Sequence, residues 1–233
     1  GIQPHFTVVA DPSHKNYLHL QGTERRLQHW LVAEPAVAAP VYRDFRDRLF
    51  SVSIGRPLVR MIEENTRELG QIEAWGSVIS LAVGLAALLG LDPVVFLGQD
   101  FAFTHMRNHC RHTSWDERWL ESTRELDDLQ RREAQSIRGN SRVIEALDIF
   151  GRPALTSDRL QLYKNYLARM VSGLPKTRFL NASAGGIFTE IPWRPLETGL
   201  AEAVEPRPPL DFAALSFLPR LAPGPEPRRR LRT

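Results

Sequence analysis

From Gly76 to Asp100 the chain reads GSVISLAVGLAALLGLDPVVFLGQD, and this stretch decides the fold. Ser77–Leu89 is apolar on nearly every face, which predicts a buried helix. Gly76-Ser77 can cap its start, Gly90 can take the left-handed conformation after its end, and Pro93 forbids continuation. Val94–Leu97 then combines β-branched and aromatic residues as a buried strand does, and it stops at Gly98-Gln99-Asp100.

The same alternation runs outward. Phe6–Ala10, Leu49–Ile54 and Arg178–Leu180 read as further strands, with Trp30–Ala33 a weaker fifth. Helical patterns occupy Leu58–Leu69, Arg159–Val171 and Pro195–Ala203. Strands alternating with helices predict a Rossmann-like α/β fold, a mostly parallel sheet with helices on both faces. Between Trp115 and Ile137 the apolar stripe is thin, which reads as a surface helix or a mobile flap.

A chain of 233 residues accommodates one α/β domain, taken here as residues 1–205, followed by a tail at 206–233. The tail carries Pro-Arg-Pro-Pro, Pro-Gly-Pro-Glu-Pro and Arg228-Arg229-Arg230, and is expected to be disordered because it cannot bury enough surface to offset chain ordering. It holds six Arg against Asp211 and Glu226, a surplus of four, so the overall +3 leaves −1 for residues 1–205. A balanced body argues against nucleic-acid binding, which needs a cationic face. The longest apolar stretch, Val78–Leu89, falls short of the roughly 20 residues a membrane span requires. Cys110 is the only cysteine, which excludes an internal disulfide and makes cytoplasm the expected compartment. The chain opens on Gly1 and enters an apolar run at once, so a native start upstream is expected.

In a parallel sheet the ligand crevice lies beyond the carboxyl ends of the strands, where helix N-termini and loop amides converge. Three strands end in polar residues there. Asp11, in Asp-Pro-Ser, could hold a ribose hydroxyl or a metal ion, or could start a turn and cap a helix. Gly98 permits close backbone approach, while Gln99 and Asp100 supply a directional amide and a hard carboxylate. Asn181, followed by Ala182-Ser183-Ala184-Gly185-Gly186, opens either a structural turn or a loop whose amides cradle an anion. Gly76-Ser77 is a second phosphate seat, with capping as part of its role in either case. His105, His109, Cys110 and His112 match no strong zinc spacing; His109 is the candidate for ligand binding or catalysis.

The run Gly98-Gln99-Asp100-Phe101-Ala102-Phe103-Thr104 with His109 resembles the signature of the motility accessory factor glycosyltransferases and the MptE-like 6-hydroxymethylpterin diphosphokinases. The correspondence continues through Gly76-Ser77-Val78, Gly90-x-Asp92-Pro93, Gly151, Leu155-Thr156, Tyr163 and Asn181–Gly186, and includes Asp11. The family also carries an upstream strand with a Gly-x-Gly-Pro-Ser loop, which this sequence does not contain. His5 stands where the family has Asp, and Ala184 where it has Glu.

The resemblance implies a nucleotide-dependent transferase. One version moves a nonulosonic sugar from a CMP-sugar to a flagellin-like protein hydroxyl; another moves pyrophosphate from ATP to a hydroxymethylpterin; a third is an inactive remnant with a binding role. It implies that Asp11, Gly76, Ser77, Gly98, Gln99, Asn181, Gly185 and Gly186 hold nucleotide or substrate, that His109 and Asp100 are catalytic, and that Asp11 and Asp100 bind Mg²⁺ if the reaction depends on it. A neutral histidine suits a general base because its ordinary pKa is about 6.5.

Overall fold

Trp30–Ala33, the weakest strand signal in the sequence, is an inner strand of a four-stranded parallel sheet. The order is β1 (Phe6–Val9), β2 (Trp30–Ala33), β3 (Leu49–Ser53) and β4 (Gly70–Gln71). Register is continuous, with Val8 opposite Val32 and Val32 opposite Phe50. The computed structural model describes residues 2–23, 29–66, 68–140 and 142–203, so the tail read as disordered lies outside the described residues.

Side-chain alternation on β2 shows why helices are needed on both faces. Leu31 and Ala33 pack into one core with Val41 and Phe45 of α2 (Ala39–Phe45), while Val32 packs into another with Val52, Ile72 and Leu81. Leu81 belongs to α4 (Val78–Leu88), which follows the short α1 (His14–Tyr17) and α3 (Pro57–Asn65) in chain order. The fold is α/β, as the sequence alternation implies.

The strands do not all join one sheet. β5 (Val94–Phe96) pairs in parallel with β8 (Phe179–Asn181), with Phe96 opposite Asn181, as a separate two-stranded layer. β6 (Val143–Leu147) and β7 (Pro153–Ser157) form an antiparallel hairpin that the sequence reading lacked. A third core fills the space around β5 and β8, built from Val83, Phe96, Phe101, Leu167, Phe179 and Phe188. Leu167 lies on α7 (Asp158–Ser172), capped by Ser157, whose hydroxyl accepts from the Leu160 N–H at 3.2 Å.

Helix α4 is apolar all round because it serves two cores: Leu81 faces the four-stranded sheet and Val83 the β5–β8 pair. Gly84, an apparent interruption in the sequence, is where the helix comes closest to its neighbours. A Cβ there would lie 2.4 Å from Ile72 Cγ2. Gly90 has φ +66°, the left-handed stop expected of it.

The 115–137 region is two helices rather than one: α5 (Ser114–Glu121) and α6 (Leu126–Asn140). The break has a chemical cause. Ser122 and Thr123 hydroxyls donate back to the carbonyls of Arg118 and Trp119, and Asp128 accepts from the Arg124 and Glu125 N–H groups, starting a new helix. Ile137 and Glu133 are buried, so α6 packs as part of the domain. The last described element is α8 (Leu196–Ala203). No helix among the described residues is long and apolar enough to cross a membrane.

Candidate functional site

A cavity of about 800 Å³ lies where β1, β3 and β4 end, the place the parallel-sheet rule indicates. Its walls include Asp11 after β1, Arg56 after β3, and Gly76 with Ser77 after β4; His19, His109 and Tyr163 close it from other elements. Thr7, Val8 and Val9 also line it, so the cavity runs along β1 as well as beyond its end.

Asp11 makes the turn its sequence context allows and leaves one carboxylate oxygen at the cavity. Its Oδ1 accepts the Ser13 N–H at 2.7 Å, a tight turn that hands over to α1, whose cap is the Ser13 hydroxyl accepting from Lys15 N–H. Its Oδ2 has no hydrogen-bond partner among the described residues, and the side chain stands in the cavity wall. Gly76 adopts φ +73° with Tyr163 and Tyr166 packed so closely that a Cβ would lie 3.0–3.1 Å from their rings. Ser77 occupies the N-cap position of α4 but makes no side-chain cap bond, contrary to the sequence expectation. Ser80 closes the turn instead: its hydroxyl donates to the Ser77 carbonyl at 2.6 Å and accepts the Trp75 N–H at 2.7 Å. That leaves the Ser77 hydroxyl and the first amides of α4 as donors at the cavity.

His109 stands on the same wall. His109 is exposed, yet the surrounding protein lowers its pKa from the ordinary imidazole value by partial desolvation; Glu133 pulls the other way and His19 adds to the lowering. A neutral ring at neutral pH is the form that accepts a proton. His19 faces the cavity too, its Nδ1 held by Ser114 Oγ at 3.1 Å. His105, Met106 and His112 all have positive φ, so the segment after the Thr104–Met106 turn winds irregularly. No group of three or more His, Cys, Asp or Glu is placed to hold a metal ion among the described residues.

The remaining sequence candidates lie elsewhere. Gly185 and Gly186 line a second cavity of about 440 Å³ with Thr104, His105 and the β6–β7 hairpin. Gly98, Gln99, Asp100 and Asn181 line neither cavity. They join the strand ends of β5 and β8: the Gln99 N–H donates to Ser183 Oγ at 3.1 Å, and the Ile187 N–H to the Asp100 carbonyl at 2.7 Å. Asn181 is fully buried, its Nδ2 donating to the Phe188 carbonyl and its Oδ1 accepting the Ser183 N–H. Asp11, on the four-stranded sheet, and Asp100 with Asn181, on the two-stranded pair, therefore do not share one sheet edge as the sequence reading expected.

Residues 1–106 match the family model described as 6-hydroxymethylpterin diphosphokinase MptE-like. This MptE-like segment contains β1 to β5 and most of the large cavity's wall. A solved structure, the MAf glycosyltransferase from Magnetospirillum magneticum AMB-1, superposes with a TM-score of 0.60 at 14% identity. The superposition covers 93% of this chain and 29% of that one, so the likeness in fold continues past the MptE-like segment through most of the domain. No curated protein sequence matches the chain.

Among the cavity residues that escaped the sequence reading are Arg56, His19 and, as a cavity residue, Tyr163. Arg56 had a usable signal. It follows β3 directly, behind Gly55 with φ +77°, and so obeys the same strand-end rule that selected Asp11.

Proposed function

We propose that this domain is the nucleotide-binding unit of a transferase that delivers an activated group to a hydroxyl, with the donor in the 800 Å³ cavity. The observation that carries this reading is the convergence there of Asp11, Gly76, Ser77 and His109. Residues from three places distant in sequence, each matching the chemistry of such a reaction, line one cavity at the carboxyl ends of parallel strands. Asp11 offers a carboxylate oxygen for ribose hydroxyls, the α4 start offers donors for phosphate, and neutral His109 takes the acceptor proton.

The donor in the first version is a CMP-sugar carrying a nonulosonic acid, with a protein hydroxyl as acceptor; the likeness to a MAf glycosyltransferase supports it. The match of residues 1–106 to a diphosphokinase model supports a second version, pyrophosphoryl transfer from ATP to a hydroxymethylpterin. In that version Mg²⁺ arrives with the triphosphate, and Asp11 contributes one protein carboxylate, a common arrangement for Mg²⁺.

Titrating CMP, CTP and ATP with and without Mg²⁺ by calorimetry separates the versions. Cytidine preference without a magnesium requirement is expected for the sugar donor, and magnesium-dependent ATP binding for the diphosphokinase. Absence of binding by all three would overturn the nucleotide reading.

A further inference from the structure

Glu34 directly follows β2 as a fully buried carboxylate, an expensive group to leave without a counter-charge. One oxygen, Oε2, accepts the Ala36 N–H at 3.0 Å. The other, Oε1, is sealed from solvent with no hydrogen bond among the described residues and has Arg56 Nε at 3.4 Å. Arg56 is held a second time by the Ala10 carbonyl, 3.4 Å from Nη2. Its side chain nonetheless remains 42% exposed, and among the described residues it is the only Lys or Arg lining the 800 Å³ cavity.

The anchors fix which edge of the guanidinium is available. Nε stands beside Glu34 as an ion pair without a hydrogen bond, and one Nη2 proton goes to Ala10, so both Nη1 protons and the second Nη2 proton remain, a planar fork of the kind that grips two oxygens of one phosphate. Asp11, in the same wall, limits how much negative charge that side tolerates, which favours a bound group pinned at one directional contact over a diffuse anion.

We propose that Arg56 recognises a phosphate of the bound nucleotide and that Glu34 is its positioning residue. This rests on the nucleotide reading for the identity of the ligand, while the anion preference of Arg56 does not. The fork explains why a charged pair spans from the buried end of β2 to a cavity wall. A purely structural pair would satisfy Glu34 equally well without exposure to the cavity.

The test compares CMP with cytidine, ATP with adenosine, and inorganic pyrophosphate alone, by calorimetry on the wild type, Arg56→Gln, Arg56→Lys and the double variant Glu34→Gln/Arg56→Gln. The double variant removes both charges, so it keeps the fold if the single variant loses it. The wild type should bind CMP or ATP at least about tenfold more tightly than its nucleoside, about 1.4 kcal/mol. That preference should vanish in the double variant with nucleoside affinity unchanged, and Arg56→Lys should retain part of it. A double variant that keeps the phosphate preference overturns the role of Arg56 and leaves the nucleotide reading standing. If no nucleotide binds the wild type, the nucleotide reading fails, and pyrophosphate decides: binding lost in the double variant supports Arg56, and no binding overturns it.

Discussion

Gly186 rests on the backbone of Asp100: a Cβ added at Gly186 would lie 2.3 Å from the Asp100 Cα, and the next residue donates to the Asp100 carbonyl at 2.7 Å. The two glycine-bearing motifs, Gly98-Gln99-Asp100 and Ala184-Gly185-Gly186, are thus opposite sides of one backbone contact. Gly186 also has φ +95°. Gly186→Ala should cost about 3 kcal/mol, combining overpacking of about 1–3 with backbone strain of about 1–2. Gly185→Ala, whose Cβ would meet only the Thr104 side chain, with Cγ2 nearest at 3.4 Å, should cost less than about 1 kcal/mol. Equal urea midpoints for the two variants would contradict this account.

Thr156 supports the same region from β7. Its hydroxyl, fully buried, donates to the Phe101 carbonyl at 2.6 Å, and Phe101 holds φ +50°, an unusual conformation for a side-chain-bearing residue. Thr156→Val preserves shape but leaves that carbonyl without a partner, and should lower stability by about 1–3 kcal/mol. Thr156→Ser retains the hydroxyl and should recover more than half of the loss in denaturant unfolding.

These contacts show what was legible beforehand. Val94–Phe96 and Val78–Leu88 announced themselves because apolar continuity and caps are local properties. The separation of β5–β8 from the four-stranded sheet was not legible, since α4 looks equally apolar whether it covers one layer or lies between two. Val143–Leu147 carries Glu145, and its partner strand begins at Pro153; their pairing arises from the turn held by Asp148 and Arg152, not from a hydrophobic pattern. Asp11 and Ser77 followed from strand ends, whereas the burial of Asn181 depends on Phe188 and residues 192–194 folding back over it, a relationship with no local signature.

Gly76 couples stability to the cavity. Any side chain there must adopt φ +73° and push Tyr163 and Tyr166, and Tyr163 lines the cavity. Gly76→Ala should therefore destabilise by about 1–2 kcal/mol and, by displacing Tyr163, weaken nucleotide binding severalfold. Unchanged affinity by calorimetry would show that Tyr163 does not shape the bound donor.

Arg107 ties the irregular 104–112 segment to both following helices, pairing with Asp116 at 2.6 Å and Glu133 at 3.7 Å. Burial alone would raise the Asp116 pKa, but the His112 N–H and the Arg107 guanidinium outweigh it, so the net shift is downward. Arg107→Met leaves two buried carboxylates facing each other without a cation and should cost about 3 kcal/mol at pH 7. A depressed carboxylate contributes stability that is present above its unfolded pKa and lost as pH falls through the folded one. The gap between wild type and variant should accordingly narrow as pH falls below about 4, and a gap constant with pH would refute the charge explanation.

His29 is a candidate weak point under acid. It is fully buried against Phe45, ring centroids 5.4 Å apart, and neither ring nitrogen has a hydrogen-bond partner among the described residues. Burial first, and Arg48 second, push its pKa below the ordinary value. The folded state therefore resists protonation while the unfolded chain takes up a proton below about pH 6.5, so stability should rise as pH increases through that window and fall on acidification. His109, shifted in the same direction, adds a slope of the same sign. His29→Leu removes one of the two contributions along with two unpaired polar atoms. Unfolding midpoints between pH 5 and 8 should vary less in His29→Leu than in the wild type, with the variant at least as stable at pH 5; an unaltered slope would place the acid sensitivity elsewhere in the domain.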